Sequence, residues 1–367
     1  MWCCLALYLP LAIALEGRAA FAAPPAKFES ARRRRPRYKD LTRPRRPAGP
    51  PELLREAGWK PEVKKALEKL IFERGNGSKK YSLDWPPVAV VVLDDVAFGH
   101  HAGEVAFLRL VERAEFRFND AWWSRIPADF RDRARRDYKR FSQRPESVWA
   151  QDEDWLDWRK QLFSAYDLIC RRDGRRACRS WLTAVMAGYT EAEAEGYMRE
   201  TVDEALREPF RFEDIRADAG DERPIPAPRG VRRIPAMQEL VRRLLDAGFD
   251  VWALSSSNQW IAEIAAARYG VDPSRVVGLR TRVLNQRLQA DIIDPVPIGP
   301  GTAEAVVVFI GRDPALVVAD AADVEVLAHG KGLRLAVDRN DPQFTARATD
   351  KGWLLQPPLP VGGPEAQ

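Results

Sequence analysis

Histidine, cysteine and methionine are scarce in this chain of 367 residues, which has three, four and four of them. So few imidazoles and thiols exclude a disulfide-dense small scaffold and a zinc domain built from Cys and His clusters. Long apolar runs are also missing, since the run from Trp2 to Leu15 is too short for a comfortable membrane span. The apolar content of 46% is nevertheless enough to bury a large core.

The first 22 residues resemble an export leader. The apolar run is followed by Ala20-Phe21-Ala22, a small-x-small pattern typical of a cleavage site. No Lys or Arg precedes the run, which leaves open a membrane anchor or a misassigned start codon. We interpret residues 1–22 as a signal peptide and expect a periplasmic or extracellular protein.

Residues 23–51 are rich in Pro and Arg with little to bury, which predicts an extended, solvated linker. The stretch has ten basic residues against two acidic ones, a net +8, whereas the whole chain carries +5, so the other residues sum to −3. Those other residues show no basic stripe and no nucleic-acid motif, so specific nucleic-acid binding is not expected. A tether is the favoured interpretation, and contact with a polyanion through the Arg-rich arm is the alternative.

Cys170 and Cys178 are the two cysteines that would remain after cleavage of the leader. They flank "RRDGRRA", which we interpret as a polar turn. Two thiols joined by so short a loop predict a disulfide in an oxidising compartment, and neither their spacing nor their neighbours indicate zinc.

Hydrophobic periodicity divides the rest of the chain into a core with an insertion. Residues 52–98 contain a helix and the buried strand Val88–Leu93, and residues 99–235 are dominated by helical periodicity. Residues 236–350 alternate strands with helices, and residues 351–367 read as a C-terminal tail. We predict an α/β fold, a doubly wound, Rossmann-like parallel sheet with an inserted α-helical cap over the carboxyl ends of its strands.

Polar residues follow several of the predicted strands, in "VAVVVLDDVAF" from Val88, "FDVWALSSSN" from Phe249, "IGPGTAEAV" from Ile298 and "ALVVADAADVEVL" from Ala315. With Pro86-Pro87 and Gly103-Glu104, these segments resemble the haloacid dehalogenase-like phosphatases that carry a helical cap after the first strand. The resemblance covers nearly everything from about Glu52 to Asn340. It implies an aspartate that attacks phosphorus, a second aspartate two residues later that moves the proton, and Mg²⁺ that offsets charge repulsion.

The resemblance places Val92 in the nucleophile position and Asp94 in the acid/base position. Asp95 is then only a neighbour, and adjacent residues of a strand point to opposite faces, so Asp94 and Asp95 are not expected to act on one phosphate. Making Asp94 the nucleophile would put Val96 in the acid/base position and would require an insertion in the strand.

Of the family's next two motifs, the serine or threonine that binds phosphate is matched and the lysine is not. Ser255 and Ser256, with Ser257 beside them, match the segment whose hydroxyl binds phosphate. Thr302 stands where the family has its lysine. The same serines could also cap the helix that begins near Asn258.

In the last motif, Ala319 stands where the family has an aspartate that binds the metal. Asp323 is the acid that still matches. Asp320 is an alternative ligand if the lost carboxylate has moved by one residue. The charges are lost as a set, which is consistent with a stable pocket because a buried charge without its partner is costly.

Other conspicuous side chains have simpler interpretations. Six tryptophans of the predicted cap are expected to form its packed core rather than an aromatic cage for a quaternary ammonium group. They are Trp122, Trp123, Trp149, Trp155, Trp158 and Trp181. His100 and His101 favour a solvated loop over a metal site. Arg280, Arg282 and Arg312 favour surface positions over a phosphate clamp.

The sequence therefore leaves two main functions open. The first is a pseudophosphatase that retains a pocket for a small anionic or phosphorylated ligand, or for a partner, and needs no cofactor. The second is an active Mg²⁺-dependent phosphomonoesterase that acts on a small phosphorylated metabolite with a rearranged site. The oligomeric state is left open.

Overall fold

The computed structural model describes residues 53–365. The predicted signal peptide (1–22) and linker (23–51) lie outside the described residues. None of the helices within 53–365 is long and apolar enough to cross a membrane.

The strands of this region are β1 (Val88–Val92), β2 (Phe98–Gly99), β3 (Arg211–Ile215), β4 (Ile225–Arg229), β5 (Arg232–Arg233), β6 (Asp250–Asn258), β7 (Val276–Leu284), β8 (Arg287–Ile293), β9 (Leu316–Asp320), β10 (Leu333–Val337) and β11 (Leu354–Gln356). The α-helices are α1 (Pro61–Arg74), α2 (Ala102–Glu112), α3 (Asp120–Ser124), α4 (Ala128–Phe141), α5 (Glu153–Ala184), α6 (Glu191–Ala205), α7 (Pro235–Asp246), α8 (Gln259–Ala267), α9 (Pro300–Ala305), α10 (Val324–Ala328) and α11 (Pro342–Asp350).

The core is a seven-stranded sheet in the order β11-β10-β9-β1-β6-β7-β8. Its neighbouring strands are parallel except β7 and β8, which pair antiparallel. All five residues of the central strand β1 are buried, as expected of an apolar, β-branched run with neighbours on both sides. The predicted doubly wound parallel sheet is confirmed.

The insertion leaves the core at β2 and returns at β5, and these two strands pair antiparallel. Helices α2 to α6 fill it, together with a hairpin of β3 and β4 that helical periodicity did not predict. Ion pairs hold the hairpin to α2 and α5, with Glu213 between Arg159 and Arg229 and with Glu112 contacting the same two arginines. Such long-range pairs leave no periodic signal in the sequence.

The tryptophans form the core of the cap. Trp122, Trp123, Trp149, Trp155, Trp158 and Trp181 are each at most 9% exposed. Five of the six indole N–H groups donate to backbone carbonyl oxygens, and the rings of Trp122 and Trp158 stack on each other. Because these groups are satisfied internally, the packed-core interpretation is confirmed.

The polar turn predicted between the two cap cysteines is present as a break in α5, because their Cα atoms lie 4.9 Å apart, whereas eight residues of continuous helix span about 12 Å. Cys170 and Cys178 are joined by a disulfide, and α5 runs through both of them. The helix is interrupted at Gly174, whose φ of 85° and ψ of 173° are not helical. A positive φ of this size suits glycine because it has no Cβ.

The C-terminal segment is more than a tail. Leu354–Gln356 forms β11 and pairs in parallel with β10. Gln356 is fully buried, where its amide donates to the carbonyl of Gly58 and accepts from the backbone N–H of Lys60. The prediction of a tail over residues 351–367 was wrong because a three-residue strand is too short to show a period.

Candidate active site

The candidate site lies at the carboxyl ends of β1, β6 and β9, where doubly wound sheets place their ligands. Asp94 follows β1, and Asp320 is the last residue of β9. The serine run Ser255–Ser257 lies near the carboxyl end of β6. All of these residues are at most 6% exposed. The parallel topology brings together residues that are far apart in sequence.

Asp94 is surrounded by the serine run. Its Oδ2 accepts hydrogen bonds from Ser255 Oγ at 2.8 Å, from the backbone N–H of Ser256 at 2.6 Å and from Ser256 Oγ at 3.0 Å. Its Oδ1 accepts from Ser257 Oγ at 3.1 Å. Burial alone raises the pKa of Asp94, but His101, Ser255, the N–H of Ser256 and Arg179 together lower it below its ordinary value. Asp94 is therefore ionised at neutral pH, and both of its oxygens accept hydrogen bonds from the serine run.

His101 closes the other side of this network as a neutral imidazole. Its Nδ1 accepts from the backbone N–H of Glu104 at 3.1 Å and lies 3.0 Å from the guanidinium of Arg179, which can only donate. The ring proton must therefore be on Nε2, which lies 3.0 Å from Ser256 Oγ. Burial first, and then Arg179, lower the pKa of His101. His101 thus donates to Ser256 and cannot take its proton, so the Ser–His pair is not a nucleophile with its base.

Gly103 gives the histidine room to reach the serines. Its backbone N–H donates to Ser257 Oγ at 3.1 Å. A Cβ at this position would lie 2.8 Å from Cε1 of His101 and 3.1 Å from Ser257 Oγ. Glycine is required by this close approach of α2 to β6.

Two arginines of the cap helix α5 point into the site. Arg179 pairs with Glu104 at 2.7 Å, and Tyr166 donates to the same carboxylate at 2.7 Å. Burial raises the pKa of Glu104, but Arg179, His101 and Tyr166 outweigh it and lower the value overall. This buried pair fixes Arg179 against His101.

Arg175 reaches the core from the same helix. Its guanidinium donates to the carbonyl of Ala322 at 2.8 Å and to Ser256 Oγ at 3.3 Å, and it lies 3.5 Å from the carboxylate of Asp323. Asp323 also accepts from the backbone N–H of Gly299 at 3.2 Å. Burial raises the pKa of Asp323 to about 6, against the opposing effect of Arg175.

Asp95 and Asp320 both face the guanidinium of Arg339. Asp95 has a φ of 60°, so the chain turns directly after Asp94, and its carboxylate lies 3.2 Å from the guanidinium of Arg339. Asp320 lies 3.8 Å from Arg339 and accepts from the N–H of Ala322 at 3.0 Å. Burial raises the pKa of Asp320. Asp94 and Asp95 therefore have different partners.

A small cavity lies between the cap and the core edge. A cavity of about 10 Å³ is lined by His101, Phe107, Arg179 and Ser256, among others. That volume holds about one water molecule. A ligand larger than water does not fit in this cavity unless its walls move.

No family model matches the chain. A segment of 139 residues, 37% of the chain, is 27% identical to phosphorylcholine phosphatase of Pseudomonas aeruginosa and covers 38% of that protein. A solved structure of a conserved, functionally unknown protein from Anaerococcus prevotii superposes with a TM-score of 0.73 at 16% identity, covering 86% of this chain and 99% of that one. A protein of unknown function from Bordetella pertussis gives a TM-score of 0.47 at 13% identity, covering 73% and 97%.

The chain thus spans little more than a third of the curated relative that it matches. Its topology combines a parallel sheet, a carboxylate after the first strand, hydroxyls after the neighbouring strand and a helical cap inserted between the two. The chain has a haloacid dehalogenase-like fold. The resemblance seen in the sequence is confirmed at this level.

Within the haloacid dehalogenase-like fold, the positions predicted to have lost their charge are buried. Val92 pairs with Leu254 inside the sheet, and Ala319 pairs with Ala336. The hydroxyl of Thr302 donates to the carbonyl of Gly299 in the first turn of α9. The carboxylate of Asp94 lies against the serines.

The acids of the candidate site do not fit Mg²⁺. Among residues 53–365, no group of three or more His, Cys, Asp or Glu is arranged to hold a metal ion. A hard cation needs several oxygen ligands with free lone pairs. Asp94 accepts four hydrogen bonds from the serine run, and Asp323 and Asp320 face the guanidiniums of Arg175 and Arg339.

Sequence reasoning missed the cap residues Arg175, Arg179 and Tyr166. It also misplaced the histidine pair, because His100 and His101 are buried rather than solvated. The spacing of Arg175 and Arg179, which puts both on one helical face, was the available signal. Arg312 contacts Asp250 and the carbonyl of Pro86 near the start of β1.

Proposed function

We propose that this haloacid dehalogenase-like protein does not hydrolyse phosphate esters and instead uses the junction between core and cap to bind a small anionic ligand or a partner. The observation that carries this proposal is that Asp94 accepts four hydrogen bonds from the serine run, three on Oδ2 and one on Oδ1, and so serves as a structural acceptor. A carboxylate that attacks phosphorus or moves a proton needs a free lone pair facing the substrate.

The chemistry of the surrounding positions supports the same conclusion. Val92, Thr302 and Ala319 have no charge with which to attack, clamp or bind a metal. Arg175 and Asp323 form an internal ion pair at the place where chemistry would require a free carboxylate. The guanidinium of Arg175, whose side chain is 30% exposed, remains as a charged contact for an anion.

A second candidate is favoured by two observations. A segment of this chain is 27% identical to part of a phosphorylcholine phosphatase. In addition, the lowered pKa of Asp94 keeps its carboxylate ionised at neutral pH. In this case Asp94 would act in a rearranged, Mg²⁺-dependent site on a small phosphorylated metabolite.

We further propose export. The disulfide between Cys170 and Cys178 suits an oxidising compartment, and the apolar leader with its small-x-small pattern supports the same location.

The test is Mg²⁺-dependent hydrolysis of an aryl phosphate and of phosphorylcholine by the natural chain. It is run beside Asp94→Asn and beside a restored variant that combines Val92→Asp, Thr302→Lys and Ala319→Asp. We expect no turnover by the natural chain. Activity in the restored variant would add direct support for the assigned positions.

Turnover by the natural chain that Asp94→Asn removes would refute the noncatalytic proposal and establish the second candidate. Thermal unfolding of each variant, measured first, separates a loss of chemistry from a loss of fold.

A further inference from the structure

A cleft of about 430 Å³ lies at the edge of the sheet opposite the candidate site. Its lining includes the start of β1 at Val88, Ala315 just before β9 and Gly332 just before β10. These are the amino ends of parallel strands, whereas the site around Asp94 lies at their carboxyl ends. The cleft therefore shares no residue with that site, and its volume is in the range of small-molecule pockets, about 300–1,000 Å³.

Trp85 lines this cleft with an indole that is held in place and yet exposed. The residue is 69% exposed, the largest value for a tryptophan within residues 53–365. The guanidinium of Arg312 lies over the ring, 4.7 Å from its centroid, and is itself fixed by the carbonyl of Pro86 at 2.9 Å and by Asp250 at 3.0 Å. Because Pro86 and Pro87 follow directly, the backbone here has little freedom. Trp85 thus offers a preorganised flat surface.

The cleft also has an excess of positive charge. Arg74, Lys80 and Lys331 line it, all three are exposed, and none of them forms an ion pair among the residues that the structure describes. Asp313 is the one acid of the lining, and its charge acts on the nearby Arg334. Outside the Arg-rich arm the chain sums to −3, so this local excess of cations is a feature of the cleft. Such an excess attracts anions.

The segment that brings Lys80 to the cleft is anchored to the core. Lys80 and Ser82 flank Tyr81, whose hydroxyl donates to the carbonyl of Gly248 at 3.1 Å. A Cβ at Gly248 would lie 3.0 Å from Cζ of the same ring, so the tyrosine is closely packed there. The anchored tyrosine therefore positions an ammonium and a hydroxyl group at the cleft, and both can donate to an oxyanion.

We propose that this cleft binds a nucleoside monophosphate, with the base stacked on Trp85 and the phosphate held by Lys80 and Lys331. A nucleobase gains from stacking on an indole, and a phosphate dianion suits a group of cations without partners. An inorganic anion would make no use of the indole, and an uncharged ring would make no use of the cations. The site is independent of the proposed function, because that function depends on residues at the junction between core and cap.

The experiment is titration of the full-length protein with adenosine monophosphate in Mg²⁺-free buffer at constant ionic strength. Equilibrium dialysis measures the affinity, and tryptophan fluorescence reports stacking on the exposed indole. We expect saturable quenching in the natural chain and none in Trp85→Leu. We also expect Trp85→Leu and Lys331→Gln each to bind at least about tenfold more weakly, the scale of one base stack or one charge-assisted hydrogen bond.

Lys79→Gln is the matched control, because Lys79 is exposed beside Lys80 but lies outside the lining, so its affinity should equal that of the natural chain. Arg175→Met, at the candidate site, should also leave the affinity unchanged. Adenosine and inorganic phosphate should each bind at least about tenfold more weakly than the monophosphate, since each makes only one of the two contacts. Thermal unfolding verifies that each variant is folded.

The absence of saturable binding by the natural chain would overturn the site. Full affinity in Trp85→Leu, equal losses in Lys79→Gln and Lys331→Gln, or a loss in Arg175→Met would each overturn it as well. The Arg-rich arm is present in every variant, so it does not contribute to these differences. Ester hydrolysis by the natural chain would refute the proposed function and would leave this cleft and its test unaffected.

Discussion

A single buried carboxylate organises the candidate site. Each hydroxyl of Ser255, Ser256 and Ser257 donates to Asp94 and accepts another donor in turn, from the N–H of Ser257, from His101 and from the N–H of Gly103. Hydrogen bonds in such a network support one another, and an unmade bond in a buried site is costly. Asp94 therefore contributes to stability whatever its chemistry.

Asp94→Asn should lower the free energy of unfolding by about 1–3 kcal/mol, because an amide cannot accept from all of these donors. Asp95→Asn is the matched control, with an expected change below about 1 kcal/mol, since Asp95 makes a partly exposed pair and Asn tolerates its positive φ.

The folded-state pKa of Asp94 is lowered, so its stabilisation is present above its ordinary pKa and is lost as the pH falls through the lowered value. Denaturant unfolding at neutral and acidic pH measures both effects, and equal losses in the two variants would contradict them.

The long helix α5 connects the cap core to the candidate site. Its buried side carries Trp155, Trp158 and Trp181, and the residues after Gly174 carry the arginines that enter the core edge. The break at Gly174 and the disulfide across it decide where Arg175 and Arg179 point. The sequence predicted the turn and the disulfide, but not the partners of the two arginines.

Gly174→Ala should destabilise the protein by about 1 kcal/mol, because alanine at a φ of 85° is strained although no atom lies within 4 Å of the added Cβ. Gly196→Ala is the control inside α6, where an added Cβ also meets no atom within 4 Å and the backbone is helical. That variant should gain about 0.5–1 kcal/mol. Guanidinium unfolding under non-reducing conditions compares the two, and changes of the same sign would refute the role given to the backbone at Gly174.

Charge is distributed unevenly over the whole molecule. Residues 23–51 carry a net +8, whereas the other residues sum to −3. We propose that contact with polyanions, where it occurs, is made by this Arg-rich arm. The remainder of the chain carries the haloacid dehalogenase-like fold and the pocket.

Deletion of residues 24–51 should abolish binding to heparin, because it removes the ten basic residues of the arm. Binding by the full chain should weaken steeply with salt, as expected when many cations release counterions from a polyanion. Heparin affinity at several salt concentrations measures both forms. Equal binding by the two forms would place the polyanion contact elsewhere.

Local sequence patterns were sufficient to predict the order of the main strands and helices and the inserted cap. They also predicted the polar residues at the ends of β1, β6 and β9. Apolar runs and helical periods report burial directly, and parallel strands bring their carboxyl ends to one edge. The short strand β11 and the β3–β4 hairpin escaped because they are too short or too polar to show a period. The partners of Asp94, the tautomer of His101 and the contact between Arg175 and Asp323 were decided only by the tertiary structure. Each joins residues more than 70 positions apart or depends on which side of a helix faces the core, and no local pattern encodes such a distance.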